Sequence, residues 1–317
     1  MARGNRWNLS QLGMASLLGF VGTQAVRDVY LGQLFGDLGL FEVAALAFGT
    51  AALVFGAILV VAMPRQLGLL ARGWRTVLLL NATTAAAWLS YFEALRITQP
   101  AAVNLAFCGI APITVTVFAR LGLRSGAEYT KGRAEHALHL GLLGTLVALT
   151  FVAEPIGIAL AAFAGIAITA ETILAKRMNE SGVSALAIVG TRFLLVTAIA
   201  ASMLTEIERP YAGMDAAALS MQAAIFLVIL IGPIYLAQAG VALTSPMVAG
   251  VVCALGPVAT LGLQSMASDI ALVPAMIAIT LTYTGMAIVA AVLAASAHRR
   301  TFVAQVAVVR RPGEAMP

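Results

Sequence analysis

YFEALRITQPAAVNLAFCGIAPITVTVFARL, from Tyr91 to Leu121, and YLAQAGVALTSPMVAGVVCALGPVATLGLQ, from Tyr235 to Gln264, are two versions of one phrase. Thr98 matches Thr244, Pro100 matches Pro246, Cys108 matches Cys253 and Pro112 matches Pro257, with one residue slipped between the two prolines. Each phrase holds the end of an apolar segment, a proline-opened turn and a second apolar segment. Proline fits the first turn of a helix, where its missing N–H leaves nothing unpaired. Both phrases therefore predict a helical hairpin, and their spacing divides the chain into two comparable halves.

Working outward, apolar segments recur near 9–29, 41–62, 75–95, 99–119, 136–153, 155–175, 184–205, 219–241, 246–266 and 270–296. Most have the 20 or so apolar residues that a helix needs to cross a bilayer about 30 Å thick. They are too long and too uniformly apolar for barrel strands, which alternate every second residue. Inside lipid a segment must satisfy its own backbone, which leaves helix. The expected fold is thus an all-α transmembrane protein of ten helices. Residues 1–153 form a first five-helix repeat, 154–297 a second, and 298–317 a basic cytoplasmic tail. Five helices per repeat is an odd number, so the second copy enters the membrane inverted and a cavity is expected between the halves.

Composition agrees. Of the 317 residues, 61% are hydrophobic and 10% charged, with a mean hydropathy of +0.96. Soluble domains are about 45–50% apolar and about 25% charged. Arg3 and Arg6 before the first apolar run resemble a signal-peptide start. However, no small-residue cleavage motif follows, so a retained first helix is expected. With an N-terminus in the cytoplasm, Arg3, Arg6, Arg65, Arg72, Arg75, Arg120, Arg124, Lys131, Arg133, Lys176, Arg177, Arg299, Arg300, Arg310 and Arg311 fall on that side, 15 of the 19 basic residues. Arg27, Arg96 and Arg209 fall outside, and Arg192 falls within a helix. This is a positive-inside pattern with both termini cytoplasmic. The isoelectric point near 9.6 is read as this orientation charge and not as nucleic-acid binding. Cys108 and Cys253 lie in apolar runs with no His or Cys at ligand spacing, so no metal or cofactor is expected.

Polar residues inside the membrane are costly and mark functional positions. Asn81, Thr84, Trp88 and Tyr91 fall on one face of the third helix, a stripe suited to a cavity wall. Helix packing and an interfacial aromatic belt are the alternative for Trp88 and Tyr91. Gln24 and Asn104 add amides inside the first and fourth helices, and Tyr235 and Gln238 sit one turn apart in the eighth. Pro112, Pro233 and Pro257 are expected to break the fourth, eighth and ninth helices near mid-membrane. Arg192 and Glu171, at matching depths of a hairpin, are expected to pair. The alternative gives Arg192 a substrate carboxylate or phosphate. Glu93 and Arg96 form a surface pair, and His136 and His139 open the fifth helix at a wetted face.

The stretch WRTVLLLNATTAAAWLSYFEALRITQPAAVNLAFCGIAPITVTVFA, from Trp74 to Ala119, resembles the drug/metabolite transporter (DMT) superfamily, in particular its EamA-type branch. Gly190-Thr191-Arg192-Phe193 resembles the Arg-Phe that opens the seventh helix of that family. The first helix departs from the pattern, with Gly19-Phe20-Val21-Gly22-Thr23-Gln24 where a Trp-Gly is usual. So does the second, with Leu46-Ala47-Phe48 in place of Arg-Phe. The resemblance implies two inverted five-helix repeats around a central cavity and, through the YddG-like members, amino-acid export across a bacterial inner membrane. The expected function is secondary transport of a small-molecule substrate in the lipid bilayer, without enzymatic activity. The alternative substrates are sugar phosphates or nucleotide sugars, which would want several cavity cations. An integral-membrane lipid-modifying enzyme would gather acidic residues or His around a metal, and no such motif appears.

Overall fold

A computed structural model describes residues 9–35, 38–122, 133–204, 215–244, 251–267 and 273–289. Among the described residues every regular element is a helix and no strand occurs. The helices are α1 (Leu9–Leu34), α2 (Leu40–Ala62), α3 (Pro64–Arg72), α4 (Trp74–Ile97), α5 (Pro100–Arg120), α6 (Arg133–Leu149) and α7 (Pro155–Glu180). They continue with α8 (Ala185–Arg192), α9 (Leu194–Leu204), α10 (Ala216–Phe226), α11 (Gly232–Leu243) and α12 (Gly256–Met266). The final element is α13 (Pro274–Val289).

Five stretches are long and apolar enough to cross a membrane: Leu40–Ala62, Pro100–Arg120, Pro155–Glu180, Ala185–Leu204 and Ala216–Ala237. The α1 and α4 helices match them in length, at 26 and 24 residues, but carry buried polar side chains. An apolar exterior supports the membrane assignment. Leu53, Val61, Leu140, Phe151 and Val228 are exposed in a way that water would penalise.

Local chemistry sets the helix ends. Pro100 and Pro155 open α5 and α7. Ser184 caps α8 by accepting from Ala187 N at 3.2 Å, and Asp215 caps α10 by accepting from Ala218 N at 2.7 Å. The short amphipathic α3, absent from the expected spans, starts at Pro64. Gln66 on it accepts from Ser184 N at 3.0 Å, tying α3 to the loop before α8.

Breaks occur at three places, not all of them expected. The seventh span bends at Phe193, between α8 and α9. The eighth carries a π-helical turn, Leu227–Ile231, immediately before Gly232-Pro233. Pro233 supplies no N–H and its ring crowds the preceding turn, so the backbone widens there. The ninth turns at Ala254 and Leu255 ahead of Pro257, and Thr284 of α13 donates to the Ala254 carbonyl at 3.4 Å. Pro112 differs from expectation: α5 runs unbroken through it, so it is an internal proline and not a break.

The helices on either side of Ala153 interleave. The α4 and α5 helices pack on α7, α1 packs on α11 and α12, α2 packs on α8 and α9, and α5 also packs on α12. One core joins Phe48, Trp88, Phe92 and Val103 to Ala161, Phe193, Phe226 and Leu261. Small residues make the close crossings possible. A Cβ at Gly165 of α7 would lie 2.4 Å from the Phe107 carbonyl oxygen and 2.4 Å from Ile110 Cγ2 of α5. Neither position can yield without moving α5.

Gly165→Leu is therefore expected to destabilise the protein by about 1–3 kcal/mol or more, as overpacked cores do. Gly262→Ala, inside α12 and with nothing within 4 Å of its Cβ, should be neutral to stabilising by up to about 1 kcal/mol. Thermal unfolding of both variants in detergent checks the contrast.

Candidate functional site

The polar residues of α1, α4 and α5 meet at one level of the bundle. Arg27 and Asp28 lie on α1, which continues to Leu34. The first span, expected to end near residue 29, is longer than that, and both charges are buried within the bundle. Arg27 Nε donates to Asp28 Oδ1 at 2.8 Å, and Arg27 Nη2 lies 2.7 Å from the same oxygen. Asn104 Nδ2 donates to Asp28 Oδ2 at 2.7 Å. Arg27 Nη2 also donates to the Tyr91 hydroxyl at 3.4 Å. The guanidinium carbon stands 5.3 Å from the ring centroids of both Trp88 and Tyr91, within cation–π range. Asp28 thus has both oxygens occupied, and Arg27 is held by charge and by two aromatic faces.

A second polar level lies further along the same bundle. Asn81 is ten residues from Tyr91 on α4, which is about 15 Å along the axis. Its Oδ1 accepts from Leu195 N at 3.1 Å and its Nδ2 donates to Val77 O at 3.0 Å. Leu195 follows the Phe193 break, so Asn81 stands in for a missing intrahelical acceptor and pins α4 to the seventh span. Beside it, Arg192 Nη2 and Glu171 Oε2 form a buried ion pair. Arg192 Cζ also lies 5.1 Å from the Phe193 ring centroid.

Aromatic rings connect the two levels. From Arg27 the contacts run to Trp88, then to Phe48 at 5.3 Å between centroids, then to Phe193 at 5.1 Å, and so to Arg192. Phe92 and Tyr91 brace this ladder from α4.

Among the described residues five buried side-chain atoms lack a hydrogen-bond partner, and besides Thr197 Oγ1, Thr280 Oγ1 and Arg192 Nε of the second level they include two on α4. Trp88 Nε1 and Thr84 Oγ1 are buried with no hydrogen bond. Gln24, one turn before Asp28, is also buried. Buried donors without partners are uncommon and costly.

The remaining expected site residues are placed elsewhere. Tyr235 is 73% exposed and does not join the cluster. Its neighbour Leu236 turns inward instead, its carbonyl accepting from Ser16 of α1 at 2.9 Å. The side chains of Gln238 and His136 lie outside the described residues. Glu93 and Arg96 pair on the surface at 2.6 Å. Pro233 and Pro257 shape the eighth and ninth spans, and a Cβ at Gly256, beside Pro257, would lie 3.3 Å from Asn104 Oδ1. A cavity of about 360 Å³ lies at another place, where α3 and α4 meet the end of α7, lined by Arg72, Thr76, Arg177 and Met178 among others.

Sequence reading missed Arg27, Asp28 and Gln264. Gln264 is fully buried on α12, accepts from Ala101 N at 2.9 Å and caps the start of α5. The available signal for the first two was the apolar run after Asp28, Val29-Tyr30-Leu31, which lets the helix continue past the charges. Among the described residues no group of three His, Cys, Asp or Glu side chains is placed to hold a metal.

No family model matches this chain, and no curated protein matches its sequence. Solved structures that resemble it include one described only as "Crystal structure of protein". It is 20% identical, with a TM-score of 0.58, over 90% of this chain and 98% of that one. The likeness is one of fold.

Asn81→Ala should leave the Leu195 N–H buried without an acceptor, a loss of about 1–3 kcal/mol. Thr84→Val removes a hydroxyl that has no partner and should cost nothing in the absence of ligand. Melting temperatures in detergent check both.

Proposed function

We propose that this chain is a secondary transporter of a bacterial inner membrane. In this reading ten helices form two inverted five-helix repeats that carry small metabolites, amino acids foremost, outward by alternating access. The observation that carries this reading is the symmetry of the helix packing. Number the spans one to ten, with α1, α2, α4, α5 and α6 in the first half and α7 through α13 in the second. Exchanging the halves turns third-on-sixth packing into eighth-on-first, which is α1 on α11. It turns fourth-on-sixth into ninth-on-first, which is α1 on α12. Second-on-seventh and fourth-on-ninth map onto themselves. A packing pattern unchanged by that exchange is what an inverted repeat requires.

Two buried ion pairs at separate depths supply the second support. Charges in a bundle interior are retained where they bind or gate. The Arg27–Asp28 pair, nearer the expected outer face, and the Glu171–Arg192 pair, nearer the expected cytoplasmic face, flank the aromatic ladder. Each pair lies within one half, Arg27 and Asp28 on α1 and Glu171 and Arg192 on α7 and α8, so rocking the halves changes what covers a pair and not the distance between its partners. The short, basic connections on one side support cytoplasmic termini, and the resemblance to EamA-type carriers supports the substrate class.

Counterflow of radiolabelled amino acids in proteoliposomes tests the reading. Exchange of at least one amino acid is expected. Turnover without vesicles would point to an enzyme, and silence with amino acids, sugar phosphates and nucleotide sugars alike would overturn transport.

The Glu171–Arg192 pair makes its own prediction. Removing one partner strands the other as a buried charge, so each single alanine variant should suffer more than the double. If Glu171→Ala with Arg192→Ala transports no better than the worse single variant, the pairing has no functional weight.

A further inference from the structure

We propose that the cavity where α3 and α4 meet the end of α7 binds the headgroup of an anionic phospholipid, its phosphate held between Arg72 and Arg177. The site is separate from any transport path and requires only that the chain sits in a bilayer.

Both halves of the chain build the cavity. Arg72, Gly73 and Thr76 line it from the first half, and Arg177, Met178 and Ser181 from the second. Leu70, Met178 and Val183 on its wall belong to one buried apolar cluster. The cavity therefore has an apolar floor under a cationic rim. Its walls are tied together, because Gln66 of α3 accepts from Ser184 N at 3.0 Å and donates to Gly182 O at 3.5 Å. A volume of about 360 Å³ lies in the range of small-ligand sites.

The two arginines on the rim are unmatched. Arg27, Arg96 and Arg192 each hold a carboxylate. Among the described residues neither Arg72 nor Arg177 forms an ion pair or a side-chain hydrogen bond, and the Thr76 hydroxyl has no partner. Arg65, Arg75 and Lys176 add positive charge on the same three elements, and Glu180 is the one acidic residue across α3, the first turn of α4 and the last two turns of α7. Like charges around one cavity repel. A shared phosphate turns that repulsion into charge-assisted hydrogen bonds, for which the guanidinium fork is suited.

Position selects a lipid over free phosphate. The short amphipathic α3 begins directly after Met63, where α2 ends, and such a helix lies in the membrane interface. Trp74 opens α4 with its ring exposed and Arg75 Cζ 5.5 Å from the ring centroid, which is how tryptophan sits at headgroup level. One turn on, Leu78 and Leu79 face outward and offer a path for acyl chains. A lipid uses the cationic rim and this apolar face together, and basic pockets between spanning helices favour anionic headgroups. A soluble phosphate uses the rim alone.

The test takes the full chain, delipidated in dodecyl maltoside, with dioctanoyl-phosphatidylglycerol, dioctanoyl-phosphatidylcholine, glycerol 3-phosphate and inorganic phosphate at matched concentrations. Phosphatidylglycerol should raise the melting temperature by about 2–4 °C, and native mass spectrometry should find a single retained lipid. The other probes should do neither. Arg72→Gln and Arg177→Gln should each weaken phosphatidylglycerol by about tenfold. Having no protein partner to lose, both should melt like the native chain when no lipid is added. Lys176→Gln, at the same end but outside the cavity, should change affinity by less than about twofold. Equal stabilisation by phosphatidylcholine overturns the proposal. Equal stabilisation by glycerol 3-phosphate or inorganic phosphate assigns the cavity to a soluble anion instead. A Lys176→Gln loss as large as the arginine losses means diffuse attraction and no built site. A lower lipid-free melting temperature in either arginine variant gives that residue to the fold and likewise defeats the proposal.

Discussion

A charged or hydrogen-bonding group among apolar helices has no water to turn to, and in this protein each such group governs which helices come together. Asp28 binds Arg27 beside it and Asn104 across the bundle, fixing α1 against α5. Asn81 answers the Leu195 N–H left open by the Phe193 break and so fixes α4 against the seventh span. Gln264 answers the Ala101 N–H at the start of α5 and fixes α12 there. Apolar surface alone does not discriminate between partners in lipid, because lipid tails are as apolar as leucine. Polar groups that must be satisfied do discriminate, and small residues such as Gly165 then allow the backbones to approach.

The same constraint ties the two buried ion pairs to one another. A buried ion pair is costly to separate but has more than one arrangement when a competing charge is brought in. Two such pairs, joined through Trp88, Phe48 and Phe193, are linked by side chains in direct contact. The contacts run without a gap from Arg27 to Arg192.

Much of this was legible along the chain. The helix-forming segments follow from length and apolarity alone, and α2, α4, α5, α7 and the seventh span lie within a few residues of their expected bounds. Phe193 was readable as the partner of Arg192 in a short motif, but not as a break, because no proline or glycine marks it. Spacing puts Tyr235 one turn from Gln238 on the eighth span, and the structure turns Tyr235 outward. Spacing says which residues share a helix face and not which face points inward. Charges usually end a span, and the pattern places the end of the first span just after Arg27 and Asp28. Here they cancel each other, so the helix continues to Leu34.

The sequence by itself determined that the chain is helical, that it belongs in lipid and that its halves echo one another. Those properties depend on local composition and on backbone satisfaction within each segment. Only the tertiary structure decided that Asp28 meets Asn104, that Asn81 serves Leu195, and that rings from α2, α4 and the seventh span stack between the two ion pairs. These contacts join residues that lie 76 and 114 positions apart in the case of the two amides. No local pattern encodes them, because they arise when buried polar groups select one another from all the helices within reach.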